Sequence, residues 1–195
     1  MTNDEALQLF VDAGALLKGH FKLSSGLHSG DYLEKFRLAE NPVMLEPMCQ
    51  EIADRFANSG VEIVLGPVTA GIILAYNVAR LMKVEARFAE RVDAALTLRR
   101  GQVLEPGTKV LIVDDIFTTG GAVKECLELA KTHGADIVGV GVLGDRSGGT
   151  IDLGTRLEAV LQVKVEAFMP ETCPQCAAGV PIYQPGSRAL HAAKS

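Results

Sequence analysis

The chain has 195 residues and a mass of 20.7 kDa, the size of one domain, and its 48% hydrophobic and 22% charged residues exclude an intrinsically disordered chain. Nineteen Lys and Arg against twenty-four Asp and Glu leave a net charge of -5, which argues against broad nucleic-acid binding but leaves room for a local basic patch that holds one phosphorylated ligand. No run approaches the roughly 18 apolar residues of a membrane span, and the acidic start Met-Thr-Asn-Asp-Glu lacks a basic or apolar leader pattern. The expectation is a cytoplasmic protein with neither a membrane nor a nucleic-acid partner.

In chain order, residues 4–17 read as a helix, with Leu7, Phe10, Val11 and Leu17 on one face and Asn3 as its cap. The turn-rich stretch 20–32 reads as short strands joined by a Ser/Gly turn. Asn41-Pro42 starts a second helix, continued by Met44, Leu45, Met48, Ile52 and Phe56 and ended by Gly60. Strands follow at 62–65, 85–89, 109–113 and 137–143, with a fifth inside 157–165. Helices are expected over 72–82 and from the segment after Asp115 to His133, where Gly134 is a good stop. Residues 91–101 form a polar excursion. Alternating β and α units with near-continuous apolar strands predict an α/β fold around a parallel sheet covered on both faces. Ligands on such sheets sit at the carboxyl ends of the strands. The turns after Leu65, Ala89, Val113 and Leu143 are therefore the candidate sites.

Two glycine patterns fail on their context. G-P-V-T-A-G-I-I has the spacing of half a nucleotide-triphosphate loop, but Ile72 and Ile73 stand where Lys and Ser or Thr belong. G-V-G-V-L-G, residues 139–144, lies inside an apolar strand with no helix opening after it, so its glycines read as close packing.

The segment V-L-I-V-D-D-I-F-T-T-G-G-A, residues 110–122, carries the chemistry. Four aliphatic residues predict a buried strand, and Asp114 and Asp115 stand at its carboxyl end. Ile116, Phe117, Thr118, Thr119, Gly120, Gly121 and Ala122 then lead into a helix. A helix start offers free N–H groups and a partial positive charge to a phosphate. Two carboxylates beside a phosphate pocket suit sugar hydroxyls, or a cation bound alongside. A simple capped helix with Thr118 or Thr119 as N-cap would need one such residue, for a gain of about 1 kcal/mol. The combination suggests recognition of a ribose 5-phosphate.

On these residues the chain resembles the type I phosphoribosyltransferases. The resemblance implies that residues 114–122 bind 5-phosphoribosyl 1-pyrophosphate (PRPP), with Asp114 and Asp115 on the ribose hydroxyls and 118–122 around the 5′-phosphate. H-F-K-L-S-S-G-L-H-S (20–29), F-A-E-R with T-L-R-R-G (88–101) and L-G-D-R-S-G-G (143–149) are similar to the orotate phosphoribosyltransferases, most closely a bacterial subgroup with E-x-C-P-x-C near the C-terminus. This implies one domain over 1–195, with a hood from residues 20–40 and 150–195 and a mobile loop over 91–101. It further implies orotate and PRPP as substrates, Mg²⁺ bound through substrate, and a homodimer. By the same resemblance Arg146, a bidentate fork for the orotate carboxylate, and Thr118 are expected to contact orotate. Val68, Thr69, Ala70 and Gly71 form the pyrophosphate turn; Arg91 is a catalytic candidate, and Arg99 and Arg100 are further candidates for pyrophosphate contacts. The lysines common in the family are missing from the pyrophosphate turn, from Ser24 and from the loop. The positive charge is therefore sought in Arg91, Arg99, Arg100, Mg²⁺, Lys22 and His28. A phosphoribosyltransferase for another base and a PRPP-sensing regulator remain alternatives.

Cys173-Pro174-Gln175-Cys176 reads as half a zinc site, a redox dithiol or plain packing. Cys49, Cys126 and His191 are the other ligands considered. Cys49 and Cys126 themselves read as helix packing.

Overall fold

The computed structural model describes residues 1–23, 25–93, 95–163 and 165–185; Ser24 and His191 lie outside these. The first elements are α1 (Asn3–Asp12), the hairpin strands β1 (Leu16–Lys22) and β2 (His28–Leu33), and α2 (Lys35–Ala39). Next come α3 (Pro42–Arg55), β3 (Ile63–Pro67), α4 (Ala70–Met82), β4 (Glu85–Val92) and β5 (Ala95–Leu98). β6 (Lys109–Phe117), α5 (Gly121–Thr132), β7 (Asp136–Asp145), β8 (Leu157–Gln162) and α6 (Pro174–Ala177) complete the order.

The main sheet runs β5-β4-β3-β6-β7-β8. All neighbours are parallel except β4 and β5. β3 is buried along its whole length, as a strand covered on both faces must be. In β6, Leu111 and Val113 join the core under α1, α3 and α4, while Val110 and Ile112 join the core under α5. That alternation is the period of two of a strand. α3 buries Leu45, Met48, Cys49, Ile52 and Ala53, and α5 buries Val123, Cys126, Leu127 and Ala130, both at helical spacing. Burial pushes the Cys49 and Cys126 thiols up to about 12, which agrees with packing roles. The strand glycines also behave as packing residues. A Cβ on Gly139 would lie 2.7 Å from the Phe56 ring, and one on Gly141 2.6 Å from Ile52.

Several boundaries depart from the sequence reading. The first helix stops at Asp12 rather than 17, because Gly14 takes a positive φ of 63° and the chain turns into β1. Thr2, not Asn3, caps it, in a capping box with Glu5. The helix after Pro42 ends at Arg55, short of Gly60. The excursion 91–101 contains β5, which pairs antiparallel with β4 through Arg91 and Leu96. α2 has no counterpart in the sequence reading.

The β1–β2 hairpin sits apart from the main sheet and is joined to the C-terminal segment. His28 exchanges both backbone hydrogen bonds with Phe168, and β1 continues onto Tyr183. We call this unit the hood; it is assembled from chain segments some 150 residues apart.

Candidate active site at the carboxyl end of β6

β6 is longer than expected: Asp114, Asp115, Ile116 and Phe117 belong to the strand itself. Alternation sends the Asp115 carboxylate into a buried environment, with Asp115 only 4% exposed. The chain then turns through Thr118 and Thr119, and α5 opens at Gly121. Neither threonine caps it. Gly120 occupies the N-cap with φ 73°, and no side chain accepts a cap hydrogen bond. A left-handed conformation there favours glycine, and a Cβ would also meet the Phe117 ring at 2.6 Å. The loop is thus shaped by backbone, and the first-turn N–H groups of α5 have no intrahelical acceptors.

A cavity of about 210 Å³ is lined by Lys35 and by every residue from Asp114 to Val123. The two carboxylates crowd each other. Burial and the neighbouring Asp115 raise the Asp114 carboxyl to about 7. The Lys35 ammonium answers this charge, at 2.9 Å from Asp115 Oδ2 and 3.1 Å from Oδ1. Burial pulls that ammonium down, but Asp115 more than offsets the effect and holds it above its ordinary value. Lys35 was not among the sequence candidates. It stands two residues after β2, in no motif, and only the docking of the hairpin brings it to β6.

Phe117 pairs with Asp145 in the sheet register, so the turn after β7 lies beside the loop after β6. The Arg146 backbone N–H donates to the Phe117 carbonyl at 2.8 Å. The Arg146 side chain is half-buried, its Nε has no hydrogen-bond partner, and burial lowers its pKa despite the nearby Tyr32 and Asp31. An arginine in that state suits an incoming anion.

Of the sequence's pyrophosphate turn, Val68 and Thr69 join β3 to α4 while Ala70 and Gly71 open the helix. Glycines on both sides let the two backbones close: a Cβ on Gly66 would fall 2.1 Å from the Gly71 carbonyl oxygen. Arg91, Arg99 and Arg100 do not line the cavity. Arg91 pairs with Glu125 at 2.9 Å and Arg100 with Glu90 at 3.0 Å. His28, considered as a phosphate cation, is buried in the hood beside His20 and Cys176 instead.

A phosphoribosyl transferase domain profile matches residues 46–168. The chain is 46% identical over 190 residues to the orotate phosphoribosyltransferase of Pelotomaculum thermopropionicum, covering 97% of this chain and all of the relative. It is 45% identical over 183 residues to that of Thermotoga maritima, covering 94% and 98%. The solved orotate phosphoribosyltransferase of Aeropyrum pernix superposes with a TM-score of 0.68 at 23% identity, over 80% of this chain and 92% of that one, which shows the shared fold. The profile covers most of the sheet and the relatives cover nearly the whole chain: the chain belongs to the phosphoribosyltransferase family, among its orotate phosphoribosyltransferases.

Proposed function

We infer that the chain transfers the phosphoribosyl group of PRPP to orotate, releasing pyrophosphate and forming orotidine 5′-monophosphate in pyrimidine nucleotide synthesis. The observation that carries this reading is the half-buried Arg146, its Nε without a partner, fixed through its own backbone to the strand end that bears Asp114 and Asp115. A base with a carboxylate gives that guanidinium a charged, bidentate partner, whereas a purine offers it only neutral acceptors.

In this reading the N–H groups of 118–122 hold the 5′-phosphate, and Asp114 and Asp115 accept from the ribose hydroxyls. Thr118 and Arg146 orient orotate so that its ring nitrogen faces ribose C1. The turn Val68, Thr69, Ala70 and Gly71 takes the leaving pyrophosphate. The C1–oxygen bond to pyrophosphate breaks as the C1–nitrogen bond forms, and positive charge develops on the ribose. Positioning and electrostatics then supply the rate, with no covalent nucleophile. Lys35 pairs with the Asp115 carboxylate and orients it. Arg91 and Arg100 reach pyrophosphate only by exchanging Glu125 and Glu90 for phosphate oxygens; Arg99 is exposed on the same segment.

The site fits Mg²⁺. Two crowded carboxylates, the pKa of Asp114 raised first by burial and then by Asp115, stand beside one lysine and offer oxygen atoms to a hard cation. Bound with PRPP, the cation would neutralise pyrophosphate charge. A homodimer fits the exposed Phe36, Val43, Ile73 and Tyr76 on the adjoining helices α2, α3 and α4.

The test is orotate consumption followed by ultraviolet absorbance with PRPP and Mg²⁺, with adenine, hypoxanthine and uracil run in parallel. Loss of signal with orotate alone, dependent on PRPP and Mg²⁺, supports the reading. Turnover of another base in place of orotate overturns it.

A further inference from the structure

We propose that the hood holds a structural zinc ion between His20, His28, Cys173 and Cys176. The four side chains each bring one ligand atom, all within 4.8 Å of one another, and His20, His28 and Cys173 are buried while Cys176 is exposed. The thiols are free. His20 Nε2 lies 3.2 Å from His28 Nδ1, 3.5 Å from Cys173 Sγ and 3.6 Å from Cys176 Sγ, and His28 Nδ1 lies 3.2 Å from Cys176 Sγ. A tetrahedral zinc with nitrogen at about 2.0 Å and sulfur at about 2.3 Å needs edges of about 3.3 Å between nitrogens and about 3.5 Å from nitrogen to sulfur. Four of the six edges agree with these to within about 0.3 Å, and the remaining two, from Cys173 to His28 and to Cys176, are within 4.8 Å.

The protonation state also fits. The Val180 carbonyl lies 2.7 Å from His20 Nδ1. A carbonyl can only accept, so Nδ1 carries the proton and the Nε2 lone pair is left facing the cluster. Histidine ligands are commonly oriented in this way. A hydrogen-bonded polar cluster would explain any one of these contacts. It does not require four donor atoms of a Cys₂His₂ set to converge on one point. Four protein ligands leave no open position, so the ion is structural rather than catalytic. Two thiolates with two imidazoles select zinc over the oxygen-seeking Mg²⁺.

The hood has a physical need for such a staple. Neither hydrophobic core includes any described residue of 17–32 or 165–185. Among the described residues, and apart from the cluster itself, the hairpin is held to the C-terminal segment by a few backbone bonds, the His20–Val180 bond, Ser29 Oγ donating to the Glu166 carbonyl at 2.7 Å, Gln175 Nε2 donating to the Gly19 carbonyl at 2.9 Å, and Phe21 against Tyr183. A unit this small rarely stays ordered without a disulfide or a metal. The zinc fastens the hairpin whose far end leads to Tyr32 and Lys35 at the site, so the four ligands are positioning residues for catalysis.

Metal analysis of the intact purified protein should give about one zinc per chain. Replacing the zinc with Co²⁺ should produce the visible bands of tetrahedral cobalt with thiolate charge transfer. A chelator should lower the Tm, and Zn²⁺ but not Mg²⁺ should restore it. Cys176→Ser removes a direct ligand at an exposed position and should weaken zinc binding by more than the roughly 10- to 100-fold typical of an outer-sphere change. If the Cys173→Ser/Cys176→Ser double variant does not fold, chelation and zinc add-back on the unaltered chain decide. Reduced protein that takes up no zinc or cobalt on titration overturns the proposal, as does zinc binding unchanged in Cys176→Ser. A Cys173–Cys176 disulfide with no metal uptake after reduction assigns the pair to redox chemistry instead.

Discussion

The β6–α5 unit and the hood reach their geometry by opposite routes. In the first, one continuous stretch from Lys109 to Thr132 supplies the strand, both carboxylates, the loop and the helix. Its core contacts are apolar and on both faces of the sheet. In the hood, the contacting groups come from residues 19–29 and 166–183, and they are mostly polar. The first unit can hold its loop wherever the sheet folds. The second depends on long-range closure, and it is the second that delivers Lys35 to the first. In the proposed reading the site has a rigid half that takes phosphate and ribose, and a docked half that balances charge.

Substitutions can separate the two halves. The largest effect is expected in the rigid half: Asp114→Asn and Asp115→Asn should each cut turnover by about 100-fold or more, the scale of losing one preorganised electrostatic contact. Steady-state kinetics with the fold checked by circular dichroism would show it, and near-normal turnover would remove these carboxylates from the reaction. Arg146→Ala should raise the orotate KM by about 10- to 100-fold, as for a lost charged hydrogen bond, with a smaller change for PRPP. Equal shifts for both substrates would argue against an orotate contact.

Lys35→Met tests the docked half. It should reduce kcat/KM by about 10-fold, more than Arg91→Met or Arg100→Met, because Lys35 alone among the three lines the cavity. The opposite ranking would place the needed positive charge on the 91–100 segment. Gly120→Ala should destabilise the fold by about 2 kcal/mol, through the positive φ and the clash with Phe117, read as a lowered denaturation midpoint.

The smallest effect is a pH dependence. Asp114 has a folded pKa of about 7 against an ordinary 3.8, so between these values the folded state binds the proton more tightly than the unfolded state. Its contribution to stability is full below the lower value and is lost as pH rises towards 7. The slope from this group is at most about 1.4 kcal/mol per pH unit. Denaturation of the substrate-free protein at pH 5 and pH 7 should therefore show a fall that Asp114→Asn flattens. A fall of equal size in the variant would assign the slope to other groups.

The parallel sheet, the rejected glycine motifs and the 114–122 segment were legible from sequence because each is written in neighbouring residues. An aliphatic run followed by two aspartates and T-T-G-G has few local solutions. The hood was not legible in the same way. Cys173-Pro174-Gln175-Cys176 announced half of a ligand set, but the other half was sought in Cys49, Cys126 and His191, of which the two cysteines pack inside α3 and α5. His20 and His28 sit on a hairpin that looks unexceptional as a string. Lys35 carried no signal at all, being one of many lysines that follow a turn.

By itself, then, the sequence determined the fold class, the glycine loop after β6, the paired carboxylates and the arginine after β7, because strand, turn and helix chemistry act over a few residues. Tertiary structure alone decided that Lys35 answers Asp115, that Arg91 and Arg100 face glutamates, and that two histidines meet two cysteines. Those outcomes depend on which segments pair across the whole length of the chain, and pairing is settled by the summed burial and backbone hydrogen bonding of whole elements rather than by any single residue's pattern.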